Sequence, residues 1–495
     1  MAPTRRLYSI ILLSALAVFG TYFYIAYSGL SIAQASTRLN PFVTSNGDVV
    51  EAVHDDNKGD AVVSSLAPAL WPSQASSPEY THPDDKSVLE GGSDAPDHEP
   101  TQPEHKQSEL ARPEQLNIAL IESGGSHDEV TAAFVHAFAS QPNSTFAMYL
   151  TRPRYGIADI INNFNLTSHT RPIWNTTENF ADAMTKATPP HILISTTCEL
   201  DLIFYEPVFI ALLAQSQTFL FCVVHHADRW GPGRGAGIAD KLRPWIEKRR
   251  VTFLTLSAHT AAHLQTASID LWTFSAHNVS IHAFPPVFPV ALPASTQFDL
   301  HAGIQLAMQG DYSSDRRNYT SVFELLASVT RKIETATEGQ GTVSLHLIGH
   351  GEEPAVPDAI RARVSFDENL LYHDFYTILS HQFAVLPAFA SETYYDRKAS
   401  SSIPAALIAG APVVASQRLL DAYTYLPREA VWLSREGESE MQVIERVVGE
   451  GQGEEFERKR EAARRACGVL TEANVGLAGE WVEEALAKMR LAVRG

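Results

Sequence analysis

The sequence predicts an α/β protein with two doubly wound domains, each a parallel sheet covered by helices, behind an N-terminal membrane span and an acidic stem. Three observations support this prediction. They are an uncharged apolar run near the N-terminus, a change of composition near residue 115, and an alternation of short apolar runs with longer amphipathic stretches beyond it. Such alternation is typical of parallel strands joined by helices.

The membrane span is predicted for residues 7–30, which contain no charged side chain. A helix of about 20 apolar residues crosses a bilayer. Arg5 and Arg6 precede the run and the next basic residue is Arg38, so the positive-inside rule assigns residues 1–6 to the cytosol and the body to the lumen. We therefore expect a single-pass type II protein of the Golgi or ER membrane, which contacts the lipid bilayer through this helix.

A cleaved signal peptide is the alternative interpretation of the same run. Residues 33–35, Ala-Gln-Ala, have the small-x-small form of a cleavage site. The apolar run is longer than the roughly 7–15 residues of a signal-peptide core, which favours the anchor. Five Asn-x-Ser/Thr acceptors for N-glycosylation all follow the span, as a luminal body requires: Asn143, Asn165, Asn175, Asn278 and Asn318.

The stem is predicted for residues 31–114, which are rich in Pro, Ser, Ala, Asp, Glu and His without sustained apolar periodicity. They contain 15 Asp and Glu against 5 Lys and Arg, so this stretch carries −10 of the −19 net charge. A segment of this composition cannot bury enough apolar surface to offset its ordering entropy, which predicts disorder. The acidic balance also argues against nucleic acid as a partner, since phosphate binding calls for a basic face.

Three cysteines, Cys198, Cys222 and Cys467, are too few for a disulfide framework or a cysteine-rich zinc site. At most one pair can form. Cys198 and Cys222 each lie in an apolar, strand-like run, which favours two buried thiols over a bridge between them.

The body divides at a proline-rich break over residues 284–293, because proline interrupts regular structure. We assign residues 115–295 to an N-terminal domain and residues 296–495 to a C-terminal domain that includes the terminal helices. The predicted strands are 116–121, 145–150, 191–196, 218–224, 252–257 and 279–284, then 304–309, 342–349, 383–389 and 411–416. Open α/β sheets bind ligands beyond the carboxyl ends of their strands, so motifs at those ends matter most.

Two such motifs lie in the first domain. Gly124, Gly125 and Ser126 follow the first strand, where glycines let the backbone approach a ligand and a helix N-terminus favours an anion; a tight turn without a ligand explains them equally well. His225 and His226 follow the fourth predicted strand. Because successive strand residues alternate faces, we expect His225 to project into the cleft and His226 to pack or bond to backbone. A structural histidine that is hydrogen-bonded to backbone is the alternative for His225. Adjacent side chains point apart, so the pair does not indicate a metal site.

Three motifs lie in the second domain. Arg316 and Arg317 precede a helix, where a guanidinium fork is matched to a diphosphate, although a surface pair explains them equally well. Gly349 and Gly351 follow the next strand and are predicted to form a turn that admits a base or ribose. Residues 392–416 join a carboxylate, a serine cluster, an apolar helix and a Gly-x-Pro-Val-Val strand entry.

This order of elements and motifs resembles the GT-B glycosyltransferases of the retaining, glycogen-synthase-like (family 4) kind, over about residues 115–480. In that family a Glu-containing loop leads to a helix and a Gly-x-Pro-Val-Val turn, and the segment holds a sugar nucleotide. The matching residues are Glu392, Ser400, Ser401, Ser402, Gly410, Pro412, Val413 and Val414. The resemblance implies two Rossmann-like domains in a membrane-anchored, fungal-like enzyme that needs no cofactor and no metal.

The resemblance also implies roles for particular residues. His225 and Glu392 would be the catalytic residues. The donor would contact Arg316, Arg317, Gly349, Gly351, Ser400 and Ser401, and the loop on the acceptor side would be Gly124, Gly125 and Ser126.

The sequence departs from the family at one carboxylate. The family has a second Glu eight residues after the first and five before the Gly of Gly-x-Pro. Here Ser400 lies eight after Glu392, and Ala405 lies five before Gly410. The carboxylate that the resemblance would assign to the donor ribose is missing, and the family's lysine near the diphosphate would have to be replaced by an arginine.

The leading hypothesis is a glycosyltransferase that moves a sugar from a nucleotide sugar to a glycan or glycoconjugate acceptor. The missing carboxylate motivates a second hypothesis, a GT-B-shaped luminal protein that binds glycans or serves as a scaffold without catalysis. A third hypothesis, a hydrolase built on His225 and Asp228, lacks a nucleophile motif such as Gly-x-Ser-x-Gly.

Overall fold

The computed structural model describes residues 113–166, 171–232, 236–276, 279–293, 303–339, 341–450 and 453–494. These residues belong to one compact unit, Gln102–Gly495. The predicted cytosolic tail, membrane span and stem lie outside the described residues, as does Asn278. Among the helices within those ranges, none is long and apolar enough to cross a bilayer.

The first domain contains a parallel sheet with the strand order β3-β2-β1-β4-β5-β6-β7. Its order reverses between β1 and β4, which is the doubly wound pattern. The strands are β1 Leu116–Glu122, β2 Ser144–Leu150, β3 Ile173–Thr176, β4 Ile192–Ser195, β5 Phe219–Val224, β6 Val251–Thr255 and β7 Ser280–Ala283. The helices are α1 Asp128–Ala139, α2 Ile157–Asn162, α3 Phe180–Lys186, α4 Cys198–Phe204, α5 Glu206–Gln215, α6 Ala236–Glu247 and α7 Ala258–Ala267.

The second domain repeats the pattern in a sheet with the order β10-β9-β8-β11-β12-β13. Its strands are β8 Ile304–Gln309, β9 Val343–Gly349, β10 Val364–Glu368, β11 Ala384–Val385, β12 Val413–Ala415 and β13 Val431–Leu433. Its helices are α8 Tyr319–Ala336, α9 Tyr372–Ser380, α10 Thr393–Asp396, α11 Ser402–Ala409, α12 Gln417–Ala422, α13 Glu440–Gly449 and α14 Gly453–Arg494. The predicted pair of parallel-sheet α/β domains is confirmed.

Burial explains why the strands could be found from composition. Every residue of β4, β5 and β6 is buried, because helices cover both faces of a parallel sheet and select continuous apolar runs. Strand β3 was not predicted, since its four residues lie at the sheet edge and none of them is buried. Helix α11 ends at Gly410, whose φ of +68° forms a left-handed cap.

The last helix connects the two domains. In its second half, Asn474 Nδ2 donates to the carbonyl of Pro285 at 2.8 Å, and the Trp481 ring stacks on His282 with centroids 4.8 Å apart. Lys488 Nζ also lies 3.0 Å from Ser280 Oγ. This half of α14 packs on the first domain, whereas the sequence assigned all of residues 296–495 to the second, because helix periodicity does not show which sheet an apolar face covers.

The preference for two free thiols is wrong. Cys198 and Cys222 form a disulfide with their Cα atoms 5.3 Å apart. Ser195 on β4 pairs in register with Cys222 on β5. Cys198 follows Ser195 by three residues at the start of α4, and it therefore lies close to Cys222. Cys467 is a free, buried cysteine on α14, and burial raises the pKa of its thiol to about 11.

Candidate functional site

The carboxyl ends of the two sheets meet at a cleft between the domains. Backbone contacts join its two sides. The N–H of Tyr372 donates to the carbonyl of Tyr155 at 2.7 Å, and His259 Nε2 lies 3.0 Å from the carbonyl oxygen of Lys398. Side chains after the strands of both domains are therefore brought within reach of one ligand.

The His225 ring packs against the protein on the first-domain side. Its Nε2 lies 2.7 Å from the carbonyl oxygen of Thr196, rather than beside the carboxylate of Asp228 that the hydrolase hypothesis requires. The ring stacks on His127, with centroids 3.9 Å apart. Burial lowers the pKa of His225, and it lowers the pKa of His127 well below the usual range. Both imidazoles are thus neutral near pH 7.

Glu199 holds the turn that carries the two histidines. One of its carboxylate oxygens accepts the backbone N–H groups of His225 and His226, each at 3.0 Å, and the indole N–H of Trp230 at 3.2 Å. Glu199 is only 5% exposed, and the preceding residue, Cys198, is held by the disulfide. Nothing in the sequence indicated this role, because Glu199 follows a different strand from the histidines.

His226 faces the charged groups of the second domain. Burial lowers its pKa to about 2, assisted by the positive charges of Arg229, Lys398 and Arg316. Its Nδ1 is buried and makes no hydrogen bond within the part of the chain that the structure describes. The ring of His225 thus makes the backbone contact that we expected of His226. The reason is that β5 ends at Val224 and a 3-10 helix begins at Ala227, so strand alternation no longer applies.

The glycine loop after β1 binds a carboxylate of the protein itself. Glu122 is 3% exposed, and the backbone N–H groups of Gly125 and Ser126 hydrogen-bond to its carboxylate. A Cβ on Gly124 would lie 3.0 Å from Glu122 Oε1. Burial, together with the charges of Asp201 and Asp128, raises the pKa of Glu122 to about 7. Loop N–H groups that we expected to be open to a ligand are thus engaged by Glu122.

The two arginines of the predicted diphosphate clamp occupy different environments. Arg317 is 5% exposed, and its Nη2 donates to the carbonyl of Gln309 at 2.6 Å and to Ser402 Oγ at 2.9 Å. Its guanidinium also lies over the ring of Phe389, 5.4 Å from the centroid. Arg316 is exposed and forms an ion pair with Asp311. Arg317 therefore joins the end of β8 to the start of α11. Of the two arginines, only Arg316 presents its guanidinium to solvent.

Lys398 is a cleft residue that the sequence analysis did not select. Burial lowers the pKa of its ammonium group. The negative charge of Asp228 opposes this shift, whereas the positive charges of Arg229 and Arg316 add to it. Arg229 follows His226 on the same turn of the first domain, whereas Lys398 and Arg316 belong to the second domain. Its position in the run after Glu392, two residues before Ser400, was the available signal.

The remaining glycines and serines have structural partners. A Cβ on Gly349 would lie 2.0 Å from the carbonyl oxygen of Gly310, so glycine is required where the ends of β8 and β9 approach each other. Gly351 forms a backbone bridge with Tyr312. Ser400 is buried, and its N–H donates to the hydroxyl of Tyr423 at 2.9 Å.

Ser401 and Glu392 are open to solvent. Ser401 is exposed immediately before α11, with its Oγ 3.4 Å from Gln309 Oε1. Glu392 is exposed and paired with Arg418, whose guanidinium lies over the ring of Tyr395 at 4.4 Å. Their roles in donor binding and catalysis stay predictions. The residue five before Gly410 is the buried Ala405, so no carboxylate stands at that turn of α11.

The predicted glycosylation acceptors within the described ranges lie at or near the surface. Asn143, Asn165 and Asn318 are exposed and Asn175 is half-buried. Across those same ranges, no group of His, Cys, Asp and Glu side chains could hold a metal ion.

Comparison with known proteins gives structural neighbours but no sequence relative. No family model matches the chain, and no curated protein matches it. The HepE protein of Anabaena in complex with UDP-glucose is similar over 75% of this chain and 100% of its own, with a TM-score of 0.47 and 14% identity. Sucrose-phosphate synthase from Thermosynechococcus elongatus covers the same shares, with a TM-score of 0.45 and 16% identity. The lipopolysaccharide outer core galactosyltransferase WaaB covers 73% and 99%, with a TM-score of 0.41 and 14% identity.

Proposed function

We propose that this protein is a GT-B glycosyltransferase that moves a sugar from a nucleotide-sugar donor to a glycan or glycoconjugate acceptor. The observation that carries the proposal is the placement of the segment that bears Lys398. Its Ala390 N–H donates to the carbonyl of Arg316 at 3.1 Å, and the carbonyl of Lys398 itself lies 3.0 Å from His259 of the first domain, so both cations stand where the two sheets face each other. Negative charge grows on the diphosphate leaving group in the transition state, and fixed cations at that point stabilise it.

The second domain supplies the diphosphate site in this proposal. Arg316 exchanges its ion pair with Asp311 for the phosphate oxygens, and Lys398 provides the lysine that the resemblance requires beside the diphosphate. The start of α11, beside the exposed Ser401, adds the positive end of a helix dipole, which favours an anion.

The first domain supplies a neutral imidazole against the donor sugar. His226 replaces His225 as the residue that faces the donor, because its ring is near the cations of the second domain while the ring of His225 is held by backbone. A neutral imidazole can hydrogen-bond to a sugar hydroxyl, and it adds no charge beside the departing diphosphate.

A glycan-binding or scaffold protein of the same shape is the second candidate. Ala405 stands where the related enzymes carry a carboxylate, and Glu392 is paired with Arg418. Loss of the ribose contact would weaken donor binding and leave the acceptor side intact. Donor turnover separates the candidates, since a scaffold neither transfers nor hydrolyses the sugar.

The location in the Golgi or ER membrane, with residues 7–30 as the anchor, belongs to the same proposal. The disulfide between Cys198 and Cys222 supports it, since disulfides persist in oxidising compartments such as the ER lumen. The exposed acceptors Asn143, Asn165 and Asn318 are accessible to the glycosylation machinery.

The test is a panel of nucleotide sugars added to the full chain, with thermal stabilisation and sugar release as readouts. A donor that binds only the native state raises apparent stability by RT ln(1 + [L]/Kd). Lys398→Ala should abolish the stabilisation. Arg361→Ala is the matched control, since it removes one positive charge from an exposed turn before β10, at the opposite end of the sheet. Stabilisation without sugar release, to any acceptor or to water, would favour the scaffold.

A further inference from the structure

The segment between β11 and α11 carries Glu392, Lys398 and Ser401, and it leaves the sheet through a residue in an unusual conformation. Ala388 has a φ of +43°. Residues with a Cβ seldom adopt positive φ, and such strain persists only where neighbouring contacts hold it. The position of the whole segment therefore depends on what holds Ala388.

Both peptide groups of Ala388 are held by hydrogen bonds from other elements. Its N–H donates to the two carboxylate oxygens of Glu440, at 2.9 and 3.0 Å. Its carbonyl accepts the N–H of Asn318 at 2.7 Å. Glu440 is the first residue of α13, a helix whose start is fixed by a capping box between Ser439 and Gln442. A rigid helix end thus presents the carboxylate to the strained residue.

The same contacts reach the cation proposed for the diphosphate. The N–H of Ala390 donates to the carbonyl of Arg316 at 3.1 Å, and Arg317 forms an antiparallel bridge with Phe389. The loop that bears Arg316 and the segment that bears Lys398 are therefore paired through the residues next to Ala388. A displacement at Ala388 would separate the two cations.

Packing alone does not hold this segment. A cavity of about 230 Å³ lies beside it, lined among others by Ala388, Phe389, Tyr395 and Glu440. On that side no other segment of the described chain packs against it, so the polar anchors carry more of the load that holds it in place.

We propose that Glu440 is a positioning residue that holds Ala388 in the left-handed conformation and thereby sets Lys398 opposite Arg316. It acts through the backbone and makes no contact with the ligand. The ligand-binding part of this inference rests on the proposed function, whereas the conformational part does not.

The experiment combines Glu440→Ala with Ala388→Gly. Glycine adopts positive φ without a steric cost, so it needs no anchor to stay in that conformation. Glu440→Ala should weaken nucleotide-sugar binding about tenfold and speed hydrogen exchange across residues 388–398. Ala388→Gly in the same chain should restore most of the affinity, while Ala388→Gly alone should change it less than threefold. A residue with a general stabilising role would not be rescued in this way.

Two further variants complete the design. Glu440→Gln keeps one oxygen that can accept the Ala388 N–H and should retain affinity within threefold; it replaces Glu440→Ala if that variant does not fold. Glu445→Ala, on the same helix but paired with Lys332, is the matched control and should leave exchange over residues 388–398 unchanged.

The outcomes separate the two proposals. Unchanged hydrogen exchange in Glu440→Ala, or loss of affinity that glycine at position 388 fails to restore, would overturn the positioning role. Failure of every nucleotide sugar to bind the unaltered chain would instead reject the proposed function. Hydrogen exchange would still test whether Glu440 holds Ala388.

Discussion

The two walls of the cleft occupy the same topological position but differ in how far several of their titratable groups are buried. In the first domain, Glu122, Asp128 and His226 are removed from water. Burial raises the pKa of Glu122 and of Asp128 to about 7 and lowers that of His226 to about 2. In the second domain, Arg316 and Glu392 are exposed and form ion pairs with Asp311 and Arg418.

This difference in burial suits the two domains to different parts of a ligand. Buried side chains are held in place by close packing, so this part of the first wall is set before any ligand arrives. Exposed ion pairs contribute little to stability and exchange partners easily, so the second wall is suited to accept an anion. A neutral sugar and a charged diphosphate need these two kinds of surface.

The largest expected effect tests how rigid the first wall is. Changing Cys198 and Cys222 together to Ser should lower the free energy of unfolding by about 3 kcal/mol, because the disulfide limits the unfolded chain. It also anchors the helix that bears Glu199. Chemical denaturation checks the value. Cys467→Ser is the control for altered thiol content, and equal stability of the double variant and the parent would show that the wall does not depend on the bridge.

The next effect tests whether burial sets the charge of the first wall. The folded pKa of Glu122 is raised to about 7 from an ordinary 4.5, so the folded protein binds more protons between those values. Its contribution is fully present below about pH 4.5 and is lost as pH rises to about 7, by at most about 3 kcal/mol. Glu122→Gln should flatten this part of the stability curve.

Thermal melts from pH 4 to pH 8 measure this slope. Glu436→Gln, at an exposed carboxyl, should keep the parent's dependence on pH. A curve for Glu122→Gln that parallels the parent throughout would mean that Glu122 is charged in the folded protein.

A smaller effect separates the two histidines. We expect His226→Ala to lower turnover about a hundredfold, which is about 2.7 kcal/mol of barrier and typical of a positioned catalytic group. His225→Ala should instead lower the melting temperature, because it removes the hydrogen bond to Thr196 and the stack on His127. Steady-state kinetics and melting curves of both variants decide; the reverse pattern would return the donor-facing role to His225.

The smallest effect separates the two arginines. Arg316→Ala should weaken donor binding about tenfold, or about 1.4 kcal/mol, through one lost charge-assisted contact to phosphate. Arg317→Ala should mainly destabilise the fold, since Gln309 and Ser402 lose a buried donor. Calorimetric titration with the donor measures the first effect and denaturation the second. Equal donor affinity in Arg316→Ala and the parent would remove Arg316 from the site.

The sequence predicted the sheets far better than it predicted the side chains at their ends. Strands such as β5 and β8 were found because burial on both faces selects continuous apolar runs. The backbone contact of His225 was expected of His226, and Arg317 was predicted to bind a diphosphate rather than Gln309 and Ser402, because each side chain depends on where the backbone turns after its strand. Lys398 was passed over for the serines beside it.

By itself, the sequence determined the two-domain α/β architecture and the positions of most of its buried strands. These follow from the order and spacing of apolar residues, which local structure and burial impose along the chain. Only the tertiary structure decided that His225 lies against the carbonyl of Thr196, that Cys198 bonds Cys222, and that Glu199 and Glu440 hold distant backbone groups. Those facts depend on contacts between residues that are 24 or more positions apart, for which the spacing of apolar residues carries no signal.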